Sequence, residues 1–171
     1  MIEQGKKITE VLAALQDVNP SADTESGDYD ATSAKVREAL VTQYDSKSGG
    51  FGNAPKFPNS TLIEFLFEQW SYSAKRDREA LDMVMTTLTQ MARGGIYDQL
   101  GGGFCRYSTD SSWMIPHFEK MLYDNGTLLS LYANALKIGP DQLFEDAVTD
   151  TVNWLTTVSY THLTLPTILL V

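Results

Sequence analysis

The stretch Gly94–Asn125, GGIYDQLGGGFCRYSTDSSWMIPHFEKMLYDN, decides how the chain is read. It passes from glycine-rich loop into helical spacing without a break. Three consecutive glycines, Gly101 to Gly103, disfavour helix or central strand at that point. Pro116 suits the first turn of a helix, where a missing N–H removes no hydrogen bond. The spacing predicts a helix over Phe118–Lys137, entered near His117, with Met121, Leu122, Leu129, Tyr132 and Leu136 as its core stripe. On such a helix His117, Lys120, Met121 and Asp124 share one side, and Glu119 aligns with Tyr123. Two adjoining polar stripes result. They suit either a solvated helix face or the wall of a site.

On both sides of this stretch, apolar residues recur at helical intervals. Ile8, Val11, Leu12 and Leu15 predict a short amphipathic helix within residues 1–16, and the acidic, Pro- and Gly-bearing residues 17–32 predict a linker. Ser33 is placed to cap a helix carrying Val36, Leu40, Val41 and Tyr44. After the loop SGGFGNAPKFPNS, Ser60 is placed to cap the apolar run TLIEFLFEQWSY. Further helices are expected over Arg78–Met91, with Leu81, Val84, Met85 and Leu88 on one face, and over about Asp141–Trp154. The expected class is all-α, with helix hairpins over residues 33–157. Gly-Gly followed by an apolar residue occurs at Gly49, Gly94 and Gly102, which hints at a repeated unit. Neither a βαβ pattern nor GxGxxG is present, so these glycines read as loop formers.

Thirteen basic against 22 acidic residues give a formal charge of −9, which argues against electrostatic capture of nucleic acid or an anionic membrane. The single cysteine, Cys105, excludes an intrachain disulfide and a CxxC pair. A cytoplasmic protein is expected, with neither signal peptide nor membrane anchor. The tail SYTHLTLPT, Ser159–Thr167, breaks the pattern, since no residue after Asp150 is charged. It resembles the conceptual translation of a sequencing adaptor, so residues 158–171 are expected to be non-native, and His162 is set aside.

The residues able to carry chemistry gather around the glycine triplet. Tyr97, Asp98, Arg106, Tyr107, Asp110 and Trp113 combine aromatic faces, carboxylates and a guanidinium, the usual lining of a pocket for a carbohydrate or polar metabolite. Packing between helices and an Arg106–Asp110 ion pair explain the same residues structurally. Asn53, Lys56 and Phe57 form a similar set in the first loop, where a rigid Pro-fixed connection is the plainer reading. Cys105 reads as a small buried residue, not a nucleophile. One histidine with scattered carboxylates gives no metal-ligand spacing, and no cofactor is expected.

GGFGNAPKFPN together with GGIYDQLGGGFCRYSTDSSWMIPHFEKMLYDN resembles the thioredoxin-domain-containing proteins related to the spermatogenesis-associated family. The resemblance covers about Ser33 to Trp154. It implies a thioredoxin-like domain upstream, joined at the first helix, and a partial (α/α)6 barrel similar to N-acylglucosamine 2-epimerases and six-hairpin glycosidases. A truncated fragment, inactive by itself, is therefore expected. Many relatives have His where this chain has Cys105, which weighs against an acid–base role there. His117, Glu119, Lys120, Tyr123 and Asp124 fall on the matching motif.

Three functional readings follow from the resemblance. An epimerase or isomerase would use His117 as acid or base, oriented by Glu119 or Asp110, because imidazole exchanges protons near neutral pH. A glycosidase-like hydrolase would pair Asp110 with Glu119. A non-catalytic barrel module would bind a partner or ligand. The substrate-binding set is Asn53, Lys56, Tyr97, Asp98, Arg106, Tyr107, Trp113, Lys120, Tyr123 and Asp124. The expected partner is a small molecule, with oligomeric state left open.

Overall fold

The computed structural model describes residues 29–159. The fold is all-α: five helices among the described residues and one two-stranded ribbon. The chain divides into two compact units, Met1–Glu38 and Ala39–Val171. In the first, the described residues 29–38 are helical and mostly exposed. They belong to α1, Tyr29–Gln43, whose residues 39–43 lie in the second unit. Residues 29–32, expected in the linker, are helical, so α1 begins four residues ahead of Ser33. The helix expected near the N-terminus and residues 160–171 lie outside the described residues.

The second unit is built from two helix hairpins. In the first, α2 (Ser60–Tyr72) and α3 (Arg78–Arg93) are joined by residues 73–77. In the second, α4 (Leu122–Leu136) and α5 (Gln142–Ser159) are joined by residues 137–141. The hairpins lie side by side, with α2 packed on α4 and α3 on α5. Sequence explains each boundary of α3: the Asp77 side chain accepts from Ala80 N–H at 3.0 Å, and Gly94 follows the last turn. For α2 the residue before the helix is Asn59, in left-handed backbone, and Ser60 is its first residue rather than its cap.

Ile63, Leu66, Val84, Leu88, Leu128 and Phe144 are fully enclosed between the hairpins. Each such side chain stabilises the fold by roughly 1.5–3 kcal/mol relative to exposure. Tyr132 donates its hydroxyl to Leu88 O at 2.7 Å, so the polar end of this buried ring is satisfied. Val158 and Ser159, assigned by sequence to the tail, continue α5.

The expected helix start at His117 is corrected. Pro116 and His117 form β2, paired antiparallel with β1, Tyr107–Ser108. Glu119 O accepts from Arg106 N–H at 2.7 Å, which holds the backbone in loop form. Helical bonding starts only where Met121 O accepts from Asn125 N–H. His117, Lys120 and Asp124 therefore share no helical face.

Two loops turn out to be the same structure twice. Tyr44-Asp45 to Gly49-Gly50-Phe51 and Tyr97-Asp98 to Gly102-Gly103-Phe104 each close through a Tyr–Phe bridge. Asp45 N–H donates to Gly50 O and Asp98 N–H to Gly103 O, both at 2.9 Å. Each aspartate receives a lysine ammonium, Lys56 at 2.7 Å and Lys120 at 2.6 Å. Each ammonium also faces an indole ring, Trp113 at 5.0 Å and Trp154 at 5.3 Å. The glycines permit the fit. A Cβ on Gly49 would meet Thr87 Cα at 2.7 Å, and one on Gly102 would meet Asp150 O at 2.2 Å, both at positive φ. The third Gly-Gly pair, Gly94-Gly95, has no positive φ; it ends α3 and lets the backbone of Trp113 and Met114 approach closely.

Candidate functional site

Both long loops lie at the same end of the hairpins, and β1–β2 projects from the second. Lys56 pairs with Ser108 through two backbone bonds, 2.7 and 2.8 Å, so the first loop extends this ribbon by one bridge. Side chains on one face then stack. Phe57 lies on Tyr107 with centroids 4.8 Å apart, and Tyr107 lies on His117 at 4.9 Å with ring planes 12° apart. His117 is 51% exposed, and its Nδ1 stands 4.0 Å from Glu119 Oε2. The two acid–base groups open onto a cleft of about 620 Å³ walled by Thr109, Ile115, Pro116 and Phe118. Phe118 is 89% exposed, so the cleft has an apolar rim.

Beside the stack, Arg106 donates to the Tyr123 hydroxyl and to Asp124 Oδ2, the latter at 3.2 Å. Burial pushes the Asp124 carboxyl up, outweighing the pull of Arg106. A smaller hollow of about 140 Å³ separates this pair from Phe57 and the start of α2.

The remaining sequence-selected residues, Asn53 excepted, are engaged by other groups of the protein. Lys56 and Trp113 are fully enclosed; the indole N–H donates to Ser48 O at 2.8 Å, and Lys56 also donates to Ser111 O at 2.9 Å. Tyr97 donates to Asp150 at 2.8 Å, and burial, reinforced by that aspartate, holds its hydroxyl well above the usual phenol range. Asp98 is held low, at about 2, first by the hydrogen bond from Lys120 and then by Gly101 N–H. Asn53 is exposed on the first loop, in a shallow hollow with Tyr44 and Gln43.

Asp110 organises its own loop. Its oxygens accept from the hydroxyls of Ser108 and Ser112 and from the N–H groups of Ser112, Met114 and Ile115. Burial raises its proton affinity, but these bonds outweigh it and leave the carboxyl well below the ordinary range. Such a group is a carboxylate, not a proton donor. Nor does it pair with Arg106, whose carboxylate partner is Asp124. Cys105 is buried, and burial pushes its thiol up. Among the described residues no three His, Cys, Asp or Glu side chains come together in a metal-binding group.

Sequence reading missed Asn125 as an organiser. Its amide accepts from Phe104 N–H at 2.6 Å and donates to Phe104 O and Met121 O, fixing the loop to α4. The signal was an uncharged polar residue on an otherwise apolar helical stripe. Phe57 was noticed in its loop but not placed in the binding set; alternation with the enclosed Lys56 is what turns it outward.

No protein-family model matches the chain. It is similar to spermatogenesis-associated protein 20 of Rattus norvegicus, 38% identical over 165 residues, covering 91% of this chain and 20% of that protein. The Homo sapiens protein of the same name is 37% identical over 155 residues, covering 85% and 19%. An uncharacterized protein of Caenorhabditis elegans is 42% identical over 122 residues, covering 68% and 17%. The chain spans about a fifth of the length of the curated relatives it matches.

Proposed function

We propose that these hairpins form part of an (α/α)6 barrel within a thioredoxin-domain-containing protein of the cytoplasm, and that the Phe57–Tyr107–His117 stack lines its ligand site. The ligand is a sugar or a related polar ring, which lays an apolar face on the aromatic wall and offers hydroxyls to polar neighbours. His117 acts as acid or base in an epimerase-like proton transfer, with Glu119 steadying the imidazolium. The observation that carries this reading is the half-exposed His117 ring, fixed on Tyr107 and 4.0 Å from Glu119 in an open cleft. Asp110, saturated by donors, is poorly suited to the acid role of a glycosidase, so epimerase-like chemistry is preferred. Among the described residues no helix is long and apolar enough to cross a membrane.

The test has two stages. Titration with N-acyl-hexosamines and disaccharides should shift the ring resonances of Tyr107 and His117 saturably. Turnover by the whole protein should then fall in His117→Ala. Turnover unchanged in the variant would refute the catalytic role of His117, and saturable binding with no turnover in the wild type would leave a binding module.

A further inference from the structure

At the opposite end, where short turns join the helices, α2 and α4 flank a second cavity of about 620 Å³. That is within the roughly 300–1,000 Å³ of small-molecule sites. Its floor is apolar. Phe67 and Trp70 meet edge to face with centroids 5.9 Å apart, and Leu131 and Ile138 close the α4 side.

Charge around the cavity is polarised. Glu64 and Glu68 stand one turn apart on the body of α2, whereas Lys75, Arg78 and Lys137 gather at the turn end. Lys137 follows the C-terminus of α4, where a cation complements the helix dipole and needs no other explanation. Arg78 is the first residue of α3, between the Asp77 cap and Glu79 of the first turn, and lines the cavity from the same end. Lys75 is held by costly backbone: Ala74 and Lys75 both have positive φ, 53° and 64°, where side-chain-bearing residues rarely sit. This turn sets the Lys75 ammonium 5.5 Å over the Trp70 ring, at the edge of the apolar floor. Three cations gathered on one side of an apolar floor, one of them held over the Trp70 ring, give that side of the cavity complementarity to an anion.

We infer that this cavity binds a small organic anion with an apolar body: an aromatic or aliphatic carboxylate lying on Phe67, Trp70 and Leu131, its charged end toward Lys75 and Arg78. It is separate from the His117 cleft and stands whether or not that cleft is catalytic. Phenylbutyrate and phenylbutylammonium, which share a body and differ in charge, serve as probes of the 171-residue chain in NMR titrations. The reporters are the Ile138 methyls and the Trp70 indole N–H, which is buried without an acceptor among the described residues. Phenylbutyrate should shift both saturably, about tenfold more tightly than the ammonium. The exposed substitutions Lys75→Gln and Arg78→Gln should each weaken it severalfold while leaving the loop-end resonances in place. Equal affinity for the two probes, or unchanged affinity in both variants, overturns the proposal. So do shifts of the same resonances with protein concentration alone, which would place a second copy of the chain in the groove.

Discussion

The ammonium of Lys56 lies 2.7 Å from Asp45 Oδ2, with the lysine side chain wholly enclosed and the aspartate 25% exposed. The two partners are therefore not equivalent. Removing Asp45 strands a charge in the interior, which costs about 3 kcal/mol. Removing Lys56 leaves a carboxylate that water still reaches. Asp45→Ala should lower the stability measured by urea denaturation by about that amount, and Lys56→Met by clearly less. The reverse order would contradict the burial difference.

Asp98, held at about 2 by Lys120 and backbone N–H groups, predicts a pH window. Its folded pKa is below the unfolded value of about 4, so its contribution is full above that value. It is lost as pH falls from about 4 to about 2. In Asp98→Asn, stability at neutral pH should be lower, and the loss between those two values shallower than in the wild type. Parallel acid-unfolding curves would show that Lys120 does not hold this carboxylate ionised.

Gly102 and Gly126 separate backbone fit from helix propensity. Gly102 has φ +72° and no room for a Cβ beside Asp150 O, whereas Gly126 sits in α4 with nothing within 4 Å. Gly102→Ala should destabilise by several kcal/mol. Gly126→Ala should stabilise by about 0.5–1 kcal/mol, readable as a raised Tm.

His117→Phe keeps a ring on Tyr107 but removes both nitrogens. Because the position is half exposed, stability should change by no more than about 0.5 kcal/mol. The proton transfer proposed for the whole protein should disappear. A large fall in stability would recast His117 as a structural residue.

The helices were legible as elements because their apolar residues repeat at the helical interval: Leu81, Val84 and Leu88 lie on the buried face of α3. Of the stripe expected on α4, however, only Tyr132 is buried, Leu122 is exposed, and Leu128 and Leu131 are enclosed instead. The start of α4 was not legible, because Pro116 fits a helix entry and an edge strand equally well locally. Only the pairing with Tyr107 and the bond from Arg106 N–H to Glu119 O decide between them, and both are contacts across the loop. The candidate site was half legible for the same reason. Residue type flagged Lys56, Trp113, Tyr97 and Asp98 as readily as Tyr107 and His117, but type carries no record of which way a loop side chain turns.

The two lysine–aspartate loops differ in how much chain lies between the closing phenylalanine and the lysine. Lys56 follows Phe51 by five positions, whereas Lys120 follows Phe104 by sixteen. The closed part of the motif is common to both, and the surplus in the second copy contains Tyr107, Asp110, His117 and Glu119. In the second loop the same fastening encloses a longer segment. Its ends are anchored by Phe104 and Lys120, so the segment between them is free to diversify its outward side chains without disturbing the helices beneath.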